Sequence, residues 1–188
     1  LLKFNTYFYC PKEDINHRLS WRKNYLNDWI VPFKNFCKNG TKYGVDIFVG
    51  ISPGLDFNFK SQNDFKILIE KAKNIKSWGA AKIVLMFDDI PASISKFTTN
   101  FKTEGMMHAE IANKLSIALS EKIFVVPRIY SDELIEAKST YLEDFNKSIC
   151  ETTTIFYCGK KIVSNTTDLA ELKTIQDYSS NKIVIWDN

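Results

Sequence analysis

Lys82-Ile83-Val84-Leu85-Met86-Phe87-Asp88-Asp89-Ile90-Pro91 is the stretch on which the fold is read. The unbroken apolar run from Ile83 to Phe87 has the form of a strand covered on both faces, and it gives out directly into two carboxylates. Side chains alternate between the faces of a strand, so Asp88 and Asp89 can share one pocket only if the strand has ended and the backbone has begun to turn. Pro91 makes that turn expected, because it cannot continue a sheet interior and it restricts Ile90 before it.

Working outward, similar runs recur at roughly thirty-residue spacing, the size of a βαβ unit. They are Asn5 to Cys10, Val45 to Ile51, Lys122 to Val126, Thr153 to Cys158 and Lys182 to Trp186, making six strands with Lys82 to Phe87. Helical patterns fill the intervals. The clearest has Phe65, Leu68, Ile69, Ala72 and Ile75 on one face, with Asn63 as the expected cap. Others span Trp21 to Cys37, Ala109 to Leu119 and Leu169 to Tyr178, with a weaker one over Tyr141 to Ile149.

This alternation predicts an α/β fold, either a closed (β/α)8 barrel or an open doubly wound sheet. The open type lacks its nucleotide signatures here. There is no GxGxxG, and Ser52-Pro53-Gly54 is too short to cradle a pyrophosphate. Polar residues instead follow several strands: Lys12-Glu13-Asp14, Ser52-Pro53-Gly54, Asp88-Asp89, Arg128 with Tyr130, and Asp187-Asn188. A TIM-type barrel gathers such positions around one mouth at the carboxyl ends of its strands.

The chain has 188 residues, 45% of them hydrophobic, enough for one sizeable core, and residues 1–188 are read as a single domain. Its net charge of +3 comes from dispersed lysines, so neither nucleic acid nor a membrane surface is an expected partner. Cys10, Cys37, Cys150 and Cys158 have no metal-ligand spacing, and only His17 and His108 could add nitrogen ligands, so no metal and no cofactor is expected. Nothing in the spacing calls for a disulfide. No run is long enough to span a bilayer, and the start shows no signal peptide. The chain as given is therefore expected to be soluble and cytoplasmic; a leader lost from a longer protein would make it secreted. The abrupt apolar start and the end at Ile185-Trp186-Asp187-Asn188 suggest a piece of such a protein.

Taken singly, the candidate residues have two readings each. Asp88 and Asp89 fit an acid/base pair, a solvated or capping loop, or a Mg²⁺ site, although no further carboxylate is placed to complete an oxygen shell. Lys12 is a surface lysine or a fixed donor at a strand end. Tyr130 and Trp186 are core aromatics or pocket walls. Cys158 has no histidine placed to activate it as a nucleophile.

Four motifs taken together narrow these choices. Tyr7-Phe8-Tyr9-Cys10-Pro11-Lys12-Glu13-Asp14 with His17-Arg18 and Trp21-Arg22, Ile51-Ser52-Pro53-Gly54-Leu55-Asp56, Phe87-Asp88-Asp89-Ile90, and Ile185-Trp186-Asp187-Asn188 resemble, in this order, the family eighty-four glycoside hydrolases. These are β-N-acetylglucosaminidases, including O-GlcNAcases. The resemblance implies a (β/α)8 barrel of which this chain holds six of eight strands, the first and last missing, truncated at both ends. An unclosed barrel would leave sheet edges through which copies could self-associate.

The resemblance also implies roles. Asp88 would bind the substrate's 2-acetamido N–H, and Asp89 would be the general acid/base of a retaining, substrate-assisted hydrolysis through an oxazoline. Two carboxylates so close should titrate as a coupled pair. Lys12 would bind sugar hydroxyls, Tyr130 would close over the acetamide, Trp186 would wall its pocket and Asn188 would bond the substrate. Cys158 stands where the family often has threonine and would line the pocket. Pro127-Arg128-Ile129-Tyr130 departs from the family's usual Pro-Thr-Glu-Tyr. His17, Arg18, Trp21 and Arg22 read as structural support. The expected substrate is a GlcNAc-containing glycan or an O-GlcNAc-modified protein, and the alternative is a catalytically incomplete relative that binds glycan weakly.

Overall fold

The computed structural model describes residues 3–92, 103–136, 139–166 and 179–187. The chain divides into two units, residues 1–85 and 86–188. In the first, β1 (Thr6–Tyr9), α1 (Asn27–Lys42), β2 (Asp46–Ile51), α2 (Gln62–Ser77) and β3 (Lys82–Met86) alternate. β1 runs parallel to β2 with Tyr9 opposite Val49, and β2 runs parallel to β3 with Val49 opposite Ile83. Val49, Ile51, Ile83, Val84 and Leu85 are fully buried. Consecutive burial along β3 is the physical cause of its unbroken apolar sequence, since neither face of the strand meets water.

The second unit carries α3 (Glu104–Leu119), β4 (Phe124–Val126), a 3-10 turn at Asp132–Leu134, α4 (Tyr141–Ser148), β5 (Thr154–Tyr157) and β6 (Lys182–Ile185). β4 is parallel to β5, and β5 to β6, with Ile155 opposite both Val125 and Ile183. Every strand lies inside a run predicted from sequence. The helix predicted over Leu169–Tyr178 falls outside the described residues. Among the described residues no helix is long and apolar enough to cross a membrane.

Helix boundaries differ from the sequence reading: α1 runs on to Lys42 instead of ending at Cys37, and α3 starts at Glu104 instead of Ala109. The first helix begins at Asn27, not Trp21. Trp21 and Tyr25 are buried as the periodicity suggested, but the segment that carries them is spent on other bonds: Trp21 Nε1 donates to Asp56, Tyr25 Oη to Asp14, and Lys71 Nζ to the Lys23 carbonyl. The cap of α2 is Ser61, whose Oγ accepts from Asp64 N at 3.2 Å, while Asn63 lies inside the helix. Asp64 is thereby free to take the Arg22 guanidinium, joining α2 to the segment after β1.

α3 and α4 pack closely enough that Gly105 has no room for a side chain. A Cβ there would collide with the Tyr141 carbonyl oxygen and stand 2.8 Å from Phe145 N, both of them backbone atoms that cannot swing aside. Gly105→Ala is therefore expected to cost about 1–3 kcal/mol or more of unfolding free energy by forcing the helices apart. Urea denaturation of the variant measures it, and an unchanged midpoint would contradict the packing.

Candidate active site

β3 ends at Met86, yet Phe87 still donates its N–H to the Val126 carbonyl at 2.9 Å, so the ladder outlasts the strand by one residue. Asp88 follows, 7% exposed, and then Asp89, exposed and in the left-handed region with φ 51°. Aspartate is among the few residues besides glycine that tolerate this conformation. The turn inferred from Pro91 is thus made at Asp89, and it separates a buried carboxyl from an exposed one.

Tyr130, beyond the end of β4, donates its hydroxyl to Asp89 Oδ1 at 2.9 Å. Burial first, and then the hydrogen bond and charge of Asp89, push this phenol above its ordinary range. Tyr130 therefore keeps its proton across neutral pH and acts as a donor, not a base. Asp88 and Cys158 also act on its charge, so Asp88, Asp89, Tyr130 and Cys158 form one electrostatic neighbourhood.

The loops after β4 and β5 are bonded to each other. Cys158 N donates to Tyr130 O at 2.7 Å, Asp132 N to Gly159 O at 2.9 Å, and Tyr157 Oη to Asp132 Oδ1 at 2.7 Å. Gly159, at φ 93°, makes the turn that lets this pairing continue. Burial, with the charges of Glu133 and Asp187 behind it, pushes the buried Cys158 thiol up to about 11. A thiol so protonated is a poor nucleophile. From β6, Trp186 N donates to Tyr157 O at 2.9 Å, and the half-buried indole meets Phe156 edge-on at 5.6 Å. Asn188 lies outside the described residues.

Behind these residues runs a buried polar network that the sequence reading missed. The Tyr141 hydroxyl accepts from Arg128 N at 2.9 Å and lies 2.9 Å from His108 Nδ1. Which of the phenol and Nδ1 donates to the other follows the imidazole tautomer. The His108 ring stacks on Phe87, 4.0 Å between centroids and 3° between planes. Arg128 donates from Nε to Glu104 Oε2 at 2.8 Å, with its side chain 9% and that of Glu104 4% exposed. Phe87 precedes the aspartate pair and Arg128 precedes Tyr130 by two residues, so the network grips both arms of the candidate site from behind. The available signal was Glu104 and His108 four apart on one helix, polar residues on an otherwise apolar face.

In the first unit, Lys12 is exposed in the turn after β1, where Asp14 N donates to Pro11 O at 3.1 Å. His17 is buried with Nδ1 2.9 Å from Gly50 O. Trp21 donates to Asp56 Oδ1 at 2.7 Å beneath the Arg22 guanidinium, which bridges Asp56 and Asp64. These residues hold the loops after β1 and β2 together. Among the described residues no three His, Cys, Asp or Glu side chains are grouped as metal ligands.

Comparison with known proteins bears on the whole span. The beta-N-acetylglucosaminidase (NAGidase) family profile matches residues 1–188. Protein O-GlcNAcase of Rattus norvegicus is 24% identical over 99% of this chain, and that of Mus musculus is equally similar. The chain spans only 21% of the length of these curated relatives. Among solved structures, CpGH84B superposes with a TM-score of 0.87 at 26% identity, covering 99% of this chain and 34% of the other. A variant of the Thermobaculum terrenum O-GlcNAc hydrolase gives 0.88 at 22% identity, covering 98% and 41%, a likeness of fold.

The network behind the site has two measurable consequences. Tyr141→Phe removes the acceptor of Arg128 N–H and the hydroxyl bonded to His108 Nδ1, and should lower the unfolding free energy by about 1–3 kcal/mol in urea titrations. Burial first, then the charge of Arg128, hold the His108 imidazole down to about 3, against an ordinary 6.5. The unfolded chain thus binds the extra proton first as pH falls. Stability should decline below pH 6.5 toward about 3 with a contribution of up to about 1.4 kcal/mol per pH unit. His108→Gln should lack that contribution when urea midpoints are compared across the same range.

Proposed function

The chain belongs to the β-N-acetylglucosaminidase family, and from that premise we propose that it carries the catalytic carboxylates of a retaining, substrate-assisted β-N-acetylglucosaminidase acting on terminal or protein-linked β-GlcNAc. The observation that carries the reading is the hydrogen bond from Tyr130 Oη to Asp89 Oδ1, made beside the buried carboxyl of Asp88. Two acids with opposite exposure and a phenol that keeps its proton suit a reaction in which the substrate supplies its own nucleophile.

In this mechanism the acetamide oxygen attacks the anomeric carbon as the glycosidic bond breaks, giving an oxazoline. Asp88 accepts the acetamide N–H and stabilises the positive charge that develops on nitrogen; its burial strengthens that interaction. Asp89, exposed toward solvent, protonates the departing oxygen and then takes a proton from the water that opens the oxazoline, so configuration is retained. Tyr130 leaves Asp89 for the acetamide and holds the reacting oxygen in line. Lys12 and Asn188 bond sugar groups, while Trp186 and the unreactive Cys158 thiol line the acetamide pocket. The same reading makes the six strands part of an eight-stranded barrel whose first and last strands lie outside this span.

Release of a fluorescent aglycone from a β-N-acetylglucosaminide tests the assignment. Asp88→Asn should lower kcat by about a hundredfold or more whatever the leaving group. Asp89→Asn should lose about 10²–10⁴-fold with a poor leaving group and much less with an activated phenol, which departs without a proton. Equal losses for both leaving groups in Asp89→Asn would sink the acid/base role. Tyr130→Phe should lower kcat by about tenfold with KM little changed.

A further inference from the structure

Asp14 is a hub of the first unit that the proposed chemistry leaves unused. Its Oδ2 accepts the hydroxyls of Tyr25 at 2.9 Å and Tyr9 at 3.2 Å, while Oδ1 accepts Asn16 N at 2.9 Å. The two phenols reach it from opposite sides of the segment, since Tyr9 ends β1 and Tyr25 precedes α1. Trp29 secures both: its indole N–H donates to Tyr9 Oη at 3.2 Å, and its ring stacks on Tyr25 with centroids 3.7 Å apart. Tyr9 Oη, already accepting from Trp29, has its own hydrogen for Asp14.

A cation stands behind the arrangement. Lys71 on α2 is 2% exposed, donates from Nζ to Lys23 O at 2.6 Å, and lies 4.6 Å from the centroid of the Tyr25 ring. Burial, followed by the charge of Asp14, pushes the Tyr25 hydroxyl above the ordinary phenol range, so it too remains a donor. The carboxylate of Asp14 thus sits among three fixed donors.

Asp14 also ends the turn that carries Lys12. Its N–H donates to Pro11 O at 3.1 Å, leaving Lys12 and Glu13 at the tip. β1 holds one end of that turn and the Asp14 carboxylate holds the other. We propose that Asp14 is a positioning residue for sugar binding, fixing through Tyr9, Tyr25 and Asn16 the turn from which the Lys12 ammonium meets the substrate's hydroxyls. The inference rests on the reading of Lys12 given above. A lysine side chain loses much rotamer freedom when it binds, and a rigid base limits further loss to the side chain itself. The effect belongs to affinity, because Lys12 takes no part in bond cleavage.

The test compares K12A, D14N, Y25F and the double variant K12A/D14N in hydrolysis of a fluorogenic β-N-acetylglucosaminide, with thermal unfolding recorded for each. Asparagine at 14 can still accept from Asn16 N but presents N–H groups where the phenols donate. KM should rise about tenfold in K12A and D14N and about threefold in Y25F, with kcat within about twofold throughout. D14N should add little to K12A, because once the ammonium is gone there is nothing left to position. An unchanged KM in D14N, a fall in kcat that matches its KM change, or full additivity with K12A would overturn the proposal while leaving Lys12 as a sugar ligand. If K12A has no effect, the reading of Lys12 fails and the inference fails with it. Where D14N unfolds too readily to assay, Y25F decides by the same criteria.

Discussion

Parallel pairing that continues just past the strand ends is the constraint on which the candidate site depends. Phe87 is bonded to Val126, Cys158 to Tyr130 and Trp186 to Tyr157, each beyond or at the end of a strand. Neighbouring strands lie about 4.8 Å apart, so these extra bonds hold the chain segments leading to Asp88, Tyr130 and Trp186 at fixed lateral intervals. The side chains of the candidate site are therefore spaced by backbone geometry before any of their own contacts form. The Tyr130–Asp89 hydrogen bond is a consequence of that spacing.

Much of this was legible in the sequence because strands covered on both faces have little freedom in composition. Ile83 to Phe87 could be read as a buried parallel strand that gives out at Asp88-Asp89, but the pair taken alone fitted a solvated or capping loop as well as an acid/base site, and only the four motifs together favoured chemistry. The turn was legible through Pro91, although the residue that makes it is Asp89. Helix starts were harder. Trp21 and Tyr25 have the burial expected of a helix face, but their polar atoms serve Asp56 and Asp14, and hydrophobic periodicity does not distinguish burial in a helix from burial in a bonded loop.

The polar interior was the least legible part. Glu104, Arg128 and Lys71 are ordinary surface residue types, and only their partners make them internal. A partner distant in sequence cannot be found from periodicity. Arg128 was read with Tyr130 as a mouth residue, whereas its side chain is buried against Glu104 and its backbone N–H is held by Tyr141. Buried ion pairs of this kind are costly to desolvate and costlier to break, so they act as fixed points around which less constrained segments are arranged.

The left-handed backbone at Asp89 has a consequence for descent. Under the proposed mechanism this position satisfies both a turn and a reaction, and the residues that best satisfy the turn alone are glycine and asparagine. Each is one base change away from an aspartate codon. The commonest single-step losses of the exposed carboxylate that suit the turn would therefore leave a folded domain with its neighbouring acid and aromatic walls intact. On the proposed mechanism, a single nucleotide change at this codon would remove the acid/base group and leave the turn undisturbed.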